Sequence, residues 1–332
     1  MKRTLLIISI LSVFTGVFAQ SEEIYKLWED TMKFGISKQR ITVMQTIANR
    51  KVTNAYGLIK EALINDDNAS VRGQAVFSLR EIKINTPNLW LTALQKEKDD
   101  EVLGRIVSAI GDMKIESGGE PMFNMLREKI NETRSEQLCA TIIRAIGNVG
   151  YRAASSYILE LLTDVTTPLQ IRNAAAVAIG DLGTENELLI LENLVNDTGE
   201  ARSVRMYSAY AMGKSGNPNV FDILSPIIEN ENEDLNVRLW AIAGLGYIKD
   251  EQIVKKMIGL ARVDNTRIRM EAVKALGKIK DPRAEEMLKF KALHDPEHSI
   301  KQEAIRILKE MGVDTENLGK TPAQTKTPKD NS

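Results

Sequence analysis

The feature that most constrains the fold of this 332-residue chain is a sequence motif that returns about every 33 residues. Each copy joins a β-branched residue to an Arg, continues with small residues at intervals of three or four, and ends in an aliphatic residue and a glycine. The clearest copies begin at Ile171, Val204, Val237 and Ile268. A unit this short cannot bury its own apolar face, so the period predicts stacked repeats that share one core.

Weaker copies extend the series in both directions. They begin at Val71, Val102, Leu138 and Ile300, and a degenerate copy runs from Arg40 through Val43 and Ile47. The recurring positions share one face of an α-helix. A second stripe with helical spacing follows each copy, such as Val220, Leu224, Ile227 and Ile228. We therefore predict a VR helix, named for its Val/Ile-Arg start, followed by a leucine-rich helix.

The glycine that ends each motif is predicted to form the left-handed C-cap of the VR helix. The glycines concerned include Gly180, Gly213, Gly246 and Gly277. No segment alternates apolar and polar residues for long enough to predict a strand.

This pattern resembles HEAT repeats, in particular the short type found in phycobilisome lyases, over residues 38–312. The resemblance implies an all-α, right-handed α-solenoid of about eight to nine stacked helical hairpins, an armadillo-type superhelix. It also implies an extended inner surface, lined by the leucine-rich helices, of the kind that binds extended protein partners.

The two ends of the chain differ from the repeats. Residues 1–19 have the basic start, the apolar stretch and the small residue Ala19 of a cleaved signal peptide, with a retained membrane anchor as the alternative. An amphipathic capping helix is predicted over 20–37, and a disordered tail over 313–332. Since the mature chain has a single cysteine, we expect an exported bacterial protein, either periplasmic or on the outer surface, rather than a disulfide-rich secreted one.

The overall charge excludes the usual profile of a nucleic-acid binder, because 44 basic residues face 45 acidic ones. No second apolar run approaches the length of a membrane span. Cys139 is read as a small buried hydrophobe, and His294 and His298 as part of a solvated turn. Because no catalytic motif is present, we predict no catalytic, cofactor-binding or metal-binding residue, and no enzyme.

Regularly placed arginines form the most repetitive polar feature, which we call the arginine ladder. Its members are Arg72, Arg172, Arg205, Arg238 and Arg269. We expect them to pair with acids in the turns between repeats, because a planar guanidinium suits partly buried ion pairs. The acids that precede the motifs are Asp67, Glu200, Asp234 and Asp264. A basic stripe for phosphate or nucleic acid is the alternative.

An aromatic patch is the candidate contact surface. Tyr207 and Trp240 occupy the same position in adjacent repeats, and Tyr210 lies one turn further along. Tyr and Trp dominate binding hot spots, although packing between helices is the alternative. We therefore predict a non-enzymatic protein-binding scaffold or adaptor in the bacterial envelope. The alternatives are a chromophore-lyase-like enzyme, which the family resemblance implies, and a self-assembling structural spacer.

Overall fold

The computed structural model describes residues 22–83, 86–132, 135–183 and 185–318. The predicted signal peptide and most of the predicted tail lie outside this range. Throughout the described residues the chain forms helices and turns and no strand, which confirms the all-α prediction. The chain divides at Val149 and Gly150 into two compact units, and both are helical repeat solenoids.

The first unit contains eight α-helices in its described residues. They are α1 (22–34), α2 (Ser37–Asn49), α3 (Tyr56–Asn65), α4 (Ala69–Glu81), α5 (Pro87–Lys96), α6 (Asp100–Asp112), α7 (Gly119–Lys129) and α8 (Glu136–Val149). From α2 onward, the even-numbered helices are the VR helices and the odd-numbered ones are leucine-rich.

The second unit continues the same alternation. Its helices are α9 (Ser155–Thr163), α10 (Leu169–Leu182), α11 (Glu185–Asn196), α12 (Arg202–Lys214), α13 (Val220–Glu229), α14 (Leu235–Leu245), α15 (Glu251–Leu260), α16 (Thr266–Ile279), α17 (Glu285–His294) and α18 (His298–Glu310).

The pairing of helices differs from the predicted hairpin. Each leucine-rich helix packs chiefly against the VR helix that follows it, as α11 does against α12, and has few contacts with the VR helix before it. Successive VR helices also pack directly on one another, as α10, α12 and α14 do. The tightly packed hairpin is therefore a leucine-rich helix followed by a VR helix, the reverse of the order predicted from the motif.

The motif glycines permit this close packing of VR helices. Gly213 lies inside α12 and Gly180 inside α10, so neither ends its helix. A Cβ at Gly180 would lie 2.7 Å from the Cα of Ala211 in α12, far inside van der Waals contact. The prediction that these glycines form left-handed C-caps was wrong. The left-handed residue after α12 is Gly216, with φ at 76°.

Lysine occupies the left-handed position after several VR helices. Lys51, Lys83 and Lys114 have φ values of 52°, 55° and 51°. After α6, the amide of Lys114 donates to the carbonyl of Gly111, and the amide of Ile115 donates to the carbonyl of Ile110. These two bonds form a Schellman motif, which satisfies the last carbonyls of the helix.

Helix α1 lies at the start of the first unit, where a capping helix was predicted. Tyr25, Trp28 and Met32 are half-buried on one of its sides. Leu27 and Phe34 are 64% and 74% exposed. The helix thus has a partly covered face and an apolar face that the described residues leave exposed.

Candidate protein-contact surface

The VR helices of the second unit present corresponding positions side by side. The third, sixth and tenth residues after each β-branched start have helical spacing, so they follow one side of each repeat, and the tenth residue of the α14 repeat, Tyr247, lies in the turn just after that helix. On α12 these residues are Tyr207, Tyr210 and Lys214. The next two repeats place Trp240, Ala243 and Tyr247, and then Glu271, Lys274 and Lys278, at the same positions.

Four aromatic rings meet where these sides of the α12 and α14 repeats adjoin, and we call them the aromatic surface. The ring centroid of Trp240 lies 4.9 Å from that of Tyr207 and 5.3 Å from that of Tyr210. Tyr210 also lies 5.6 Å from Tyr247. All three pairs are edge-to-face, an arrangement that aromatic quadrupoles favour. The rings therefore hold one another in fixed orientations.

Polar groups complete this cluster. The hydroxyls of Tyr210 and Tyr247 form a hydrogen bond. Burial, together with this hydrogen bond, raises the pKa of Tyr210 well above its usual range, so its hydroxyl stays protonated at neutral pH. The Nζ of Lys278, on α16, lies 4.5 Å from the ring centroid of Tyr247 and 5.8 Å from that of Tyr210. These distances are those of a cation–π contact.

Each ring keeps part of its surface in solvent. Tyr207, Tyr210 and Trp240 are half-buried, and Tyr247 is 42% exposed. The structure thus brings the three residues predicted from sequence into one cluster, where they pack on each other and remain accessible. Tyr247 and Lys278 were missed, although both occupy the tenth position of the motif, as Lys214 does one repeat earlier.

The backbone behind the rings is closely packed. A Cβ at Gly244 would lie 2.9 Å from the carbonyl oxygen of Tyr210. Ala209 and Ala211 of α12 are fully buried. Because helix backbones in contact leave little room for movement, the aromatic side chains project from a rigid support.

Ion pairs border the aromatic surface on two sides. Lys214 pairs with Asp181 at 2.6 Å, and Lys274 pairs with Glu271 at 3.4 Å. Lys278 is exposed, and no carboxylate among the described residues forms an ion pair with it. The border therefore carries three ammonium groups and two carboxylates.

The arginines of the ladder bind groups of neighbouring repeats within the chain, as Arg172 illustrates. The two terminal nitrogens of Arg172 donate to the carboxylate of Glu200 at 2.9 and 2.6 Å, and its Nε donates to the carbonyl of Leu162 at 2.8 Å. Arg172 is 4% exposed. It therefore joins the end of the leucine-rich helix before it to the turn after it.

Other members repeat this arrangement. Arg72 pairs with Glu97 at 2.7 Å, Arg205 with Glu233 at 2.7 Å, and Arg269 with Asp295 at 3.0 Å. Each of these carboxylates also accepts a backbone N–H in its own turn. The Nε of Arg238 donates to the carbonyl of Ile228 at 2.9 Å. The side chains of the paired arginines thus bind acidic residues and carbonyl groups of the same chain.

Three of the four acids named from the sequence have other roles. Glu200 is the one that pairs with a ladder arginine among the described contacts. Asp234 instead caps the start of α14 by accepting from the amides of Asn236 and Val237. Asp67 pairs with Arg40, and Asp264 accepts from Arg269 through its backbone carbonyl. Arg72, Arg172, Arg205 and Arg269 each pair with an acid in the turn before the following VR helix.

His294 is the last residue of α17 and His298 the first of α18, so both exposed histidines lie on helices that flank the predicted turn. Cys139 is buried, and burial raises the pKa of its thiol to about 11, so the thiolate is scarce at neutral pH. Within the described ranges, no three His, Cys, Asp or Glu side chains are grouped to hold a metal ion. None of the helices in the same ranges combines the length and apolar character needed to cross a membrane.

Comparison with known proteins gives two family matches. Residues 231–309 match the model for HEAT repeats, and residues 115–219 match the model for the vitellogenin TPR domain. A search of curated protein sequences finds no match to the chain.

Solved structures that match the chain include the following three. Human deoxyhypusine hydroxylase is 15% identical, with 80% of this chain and 99% of that chain covered and a TM-score of 0.36. The CpcE–CpcF complex of phycocyanin lyase from Nostoc sp. PCC7120 is 19% identical, with 70% and 91% covered and a TM-score of 0.48. Kap121p bound to Nup53p is 11% identical, with 87% and 37% covered and a TM-score of 0.40.

The family match and the fold agree on the repeat type. The matched residues include α14, α15, α16 and α17, which carry two copies of the VR motif and its leucine-rich partner helices. The same alternation of helices recurs through the described residues of both units. Residues 231–309 therefore belong to the HEAT-repeat family, and the rest of the described chain is built from the same kind of helical repeat.

Proposed function

We propose that this chain is a non-enzymatic protein-binding scaffold and that its partner docks on the aromatic surface formed by Tyr207, Tyr210, Trp240 and Tyr247. The observation that carries this proposal is the cluster itself: four partly exposed rings from adjacent repeats, held edge to face. Tyr and Trp supply most hot-spot residues of protein interfaces, because each gives a large contact area for few rotatable bonds.

The rigidity of the surface supports the same proposal. Binding costs free energy for every side chain that must be ordered in the complex. Here the rings already restrain one another, and the glycine-mediated contact of α12 with α14 fixes the helices beneath them. A partner would therefore bind a surface that needs little ordering.

We further propose that the scaffold is exported and acts in the bacterial envelope. The basic and apolar start of the chain, ending at Ala19, supports this location. Fractionation of the source cell, with N-terminal sequencing of the recovered protein, tests it. Recovery from the envelope or the medium with Gln20 as the first residue is expected, whereas a cytosolic chain that keeps Met1 would contradict the proposal.

The binding proposal is tested by crosslinking in the native cell, followed by capture of the tagged chain. Trp240→Ala and Tyr207→Ala should each reduce partner recovery strongly, since loss of a hot-spot residue costs about 2 kcal/mol or more, roughly 30-fold in affinity. Phe290→Ala is the matched control, because Phe290 is 55% exposed on α17, away from the aromatic surface.

Partner recovery is compared only among variants that fold like the wild type. Helical circular dichroism must be unchanged in all three variants. Equal recovery by the wild type and both aromatic variants would remove this surface from consideration. Concentration-dependent polymers with no recovered partner would instead favour a self-assembling structural spacer.

A further inference from the structure

One edge of the aromatic surface carries a cation that the described residues do not neutralise. The Nζ of Lys278 lies over the ring of Tyr247, with the ring of Tyr210 beyond it. An ammonium group has three hydrogen-bond donors, and aromatic faces are weak acceptors. Lys278 therefore holds its charge beside the rings and keeps donors available for an oxygen atom of a partner.

Lys278 takes part in none of the described ion pairs that the neighbouring helices form. On α10 and α12, Asp181 and Lys214 neutralise each other at 2.6 Å. On α16, Glu271 and Lys274 form a pair at 3.4 Å. On α18, Arg306 pairs with both Glu303 and Glu310, so the ammonium beside the rings that no described ion pair engages is that of Lys278.

The rings also limit where this cation can be. A free lysine side chain samples many rotamers, and ordering it costs conformational entropy. A cation–π contact with Tyr247 keeps the ammonium near the ring, and the hydroxyl bond between Tyr210 and Tyr247 fixes that ring. Because the cation stays beside the apolar surface, both can be used by one short segment of a partner.

We infer that the partner segment carries a large apolar or aromatic side chain for the aromatic surface and, within a few residues of it, a carboxylate that pairs with Lys278. This inference rests on the proposed function and specifies the chemistry of its partner. Charge complementarity at such an edge affects which partner binds and how fast, more than it affects total affinity.

A random peptide library displayed on phage tests the inference without knowledge of the natural partner. Selection on the wild-type chain should enrich peptides in which Trp, Phe, Tyr or Leu stands close to Asp or Glu. Selection on Lys278→Gln should still enrich the apolar residue but lose the acidic one. Selection on Trp240→Ala should lose both.

The selected peptide is then synthesised and its affinity is measured by fluorescence anisotropy. Lys278→Gln should weaken binding between about 1.5- and fivefold, the range of an accessible ion pair, and Lys278→Arg should restore it. Lys255→Gln, on the leucine-rich helix α15, makes the same change in net charge elsewhere in the unit and should have no effect.

The outcomes separate the two proposals. Apolar enrichment that depends on Trp240 but shows no acidic preference, or an acidic preference that survives Lys278→Gln, overturns the inference and leaves the aromatic surface standing. A selection in which Trp240→Ala changes nothing overturns both.

Discussion

Gly213 of α12 lies directly on the backbone of Gly244 in α14, so that a Cβ at position 213 would stand 2.1 Å from the carbonyl carbon of Gly244. This contact brings two VR helices together and also places Tyr210 beside Trp240 and Tyr247. The packing of the repeat and the geometry of the candidate surface thus depend on the same pair of glycines.

Replacing Gly213 by Ala should destabilise the second unit by about 1–3 kcal/mol, the usual cost of an overpacked interior. A backbone atom cannot move aside as a flexible side chain can, so α12 and α14 must separate. Gly259→Ala is the control, since Gly259 is an exposed helical residue on α15 where an added Cβ would have no neighbouring atom within 4 Å. That change should be neutral or stabilising by up to about 1 kcal/mol, because Ala is the better helix former. Urea denaturation followed by circular dichroism measures both, and equal stability of the two variants would contradict the packing described here.

Removing one partner of the buried ion pair between Arg172 and Glu200 should lower the free energy of unfolding strongly. Arg172→Met removes the guanidinium and leaves a buried carboxylate without its partner, which costs about 3–5 kcal/mol. The double variant Arg172→Met/Glu200→Leu removes both charges and should recover much of that loss, since a buried pair is often replaceable by apolar residues. If the double variant is as unstable as Arg172→Met, the ion pair stabilises the fold by more than the free energy needed to bury its two charges.

Acid should weaken the fold through the same pair. The hydrogen bonds from Arg172 lower the pKa of Glu200 below its ordinary value of 4.5, against the opposing effect of burial. Because the folded pKa is the lower one, the stabilisation is fully present above pH 4.5 and is lost as the pH falls from there through the folded pKa. Denaturation midpoints measured between pH 7 and pH 3 should fall less steeply for Arg172→Met/Glu200→Leu than for the wild type. Parallel curves would exclude Glu200 as a source of acid sensitivity.

Lys114 offers a stabilising substitution in the first unit. Its φ of 51° costs free energy in a residue that has a Cβ, whereas glycine adopts this φ readily. Lys114→Gly should therefore stabilise the unit by about 0.5–1 kcal/mol. Gly216→Ala, at a φ of 76° after α12, makes the opposite exchange and should destabilise. A shift of both midpoints in the same direction would contradict this account of the turns.

The sequence predicts the helical repeat well, because the spacing of apolar residues in the VR motif indicates both a helix and its buried face. Val204, Ala211 and Met212 are all fully buried, as their shared helical face requires. The motif does not predict which neighbouring helix packs against each face. For that reason the order of the hairpin was wrong, and Gly213 was taken for a cap when its role is contact with Gly244.

The candidate site was predicted in part for a similar reason. Tyr207 and Trp240 are aromatic at one repeat position, so alignment of the repeats predicts their contact. Tyr247 and Lys278 share another repeat position but differ in chemistry, and Tyr247 lies in the turn after α14, so the repeat period alone does not predict their contacts with Tyr210. Asp234 shows the same limit, since capping α14 and pairing with an arginine look alike in a sequence.

The central claim is that a protein partner binds the aromatic surface, and site-specific photo-crosslinking in the native cell tests it most directly. A photoreactive phenylalanine analogue is placed at Tyr247, and in a separate chain at the control position Phe290. The account predicts a discrete crosslinked product from position 247 that is absent from position 290 and disappears when Trp240→Ala is added. Equal products from both positions, or a product from position 247 that survives Trp240→Ala, would contradict it.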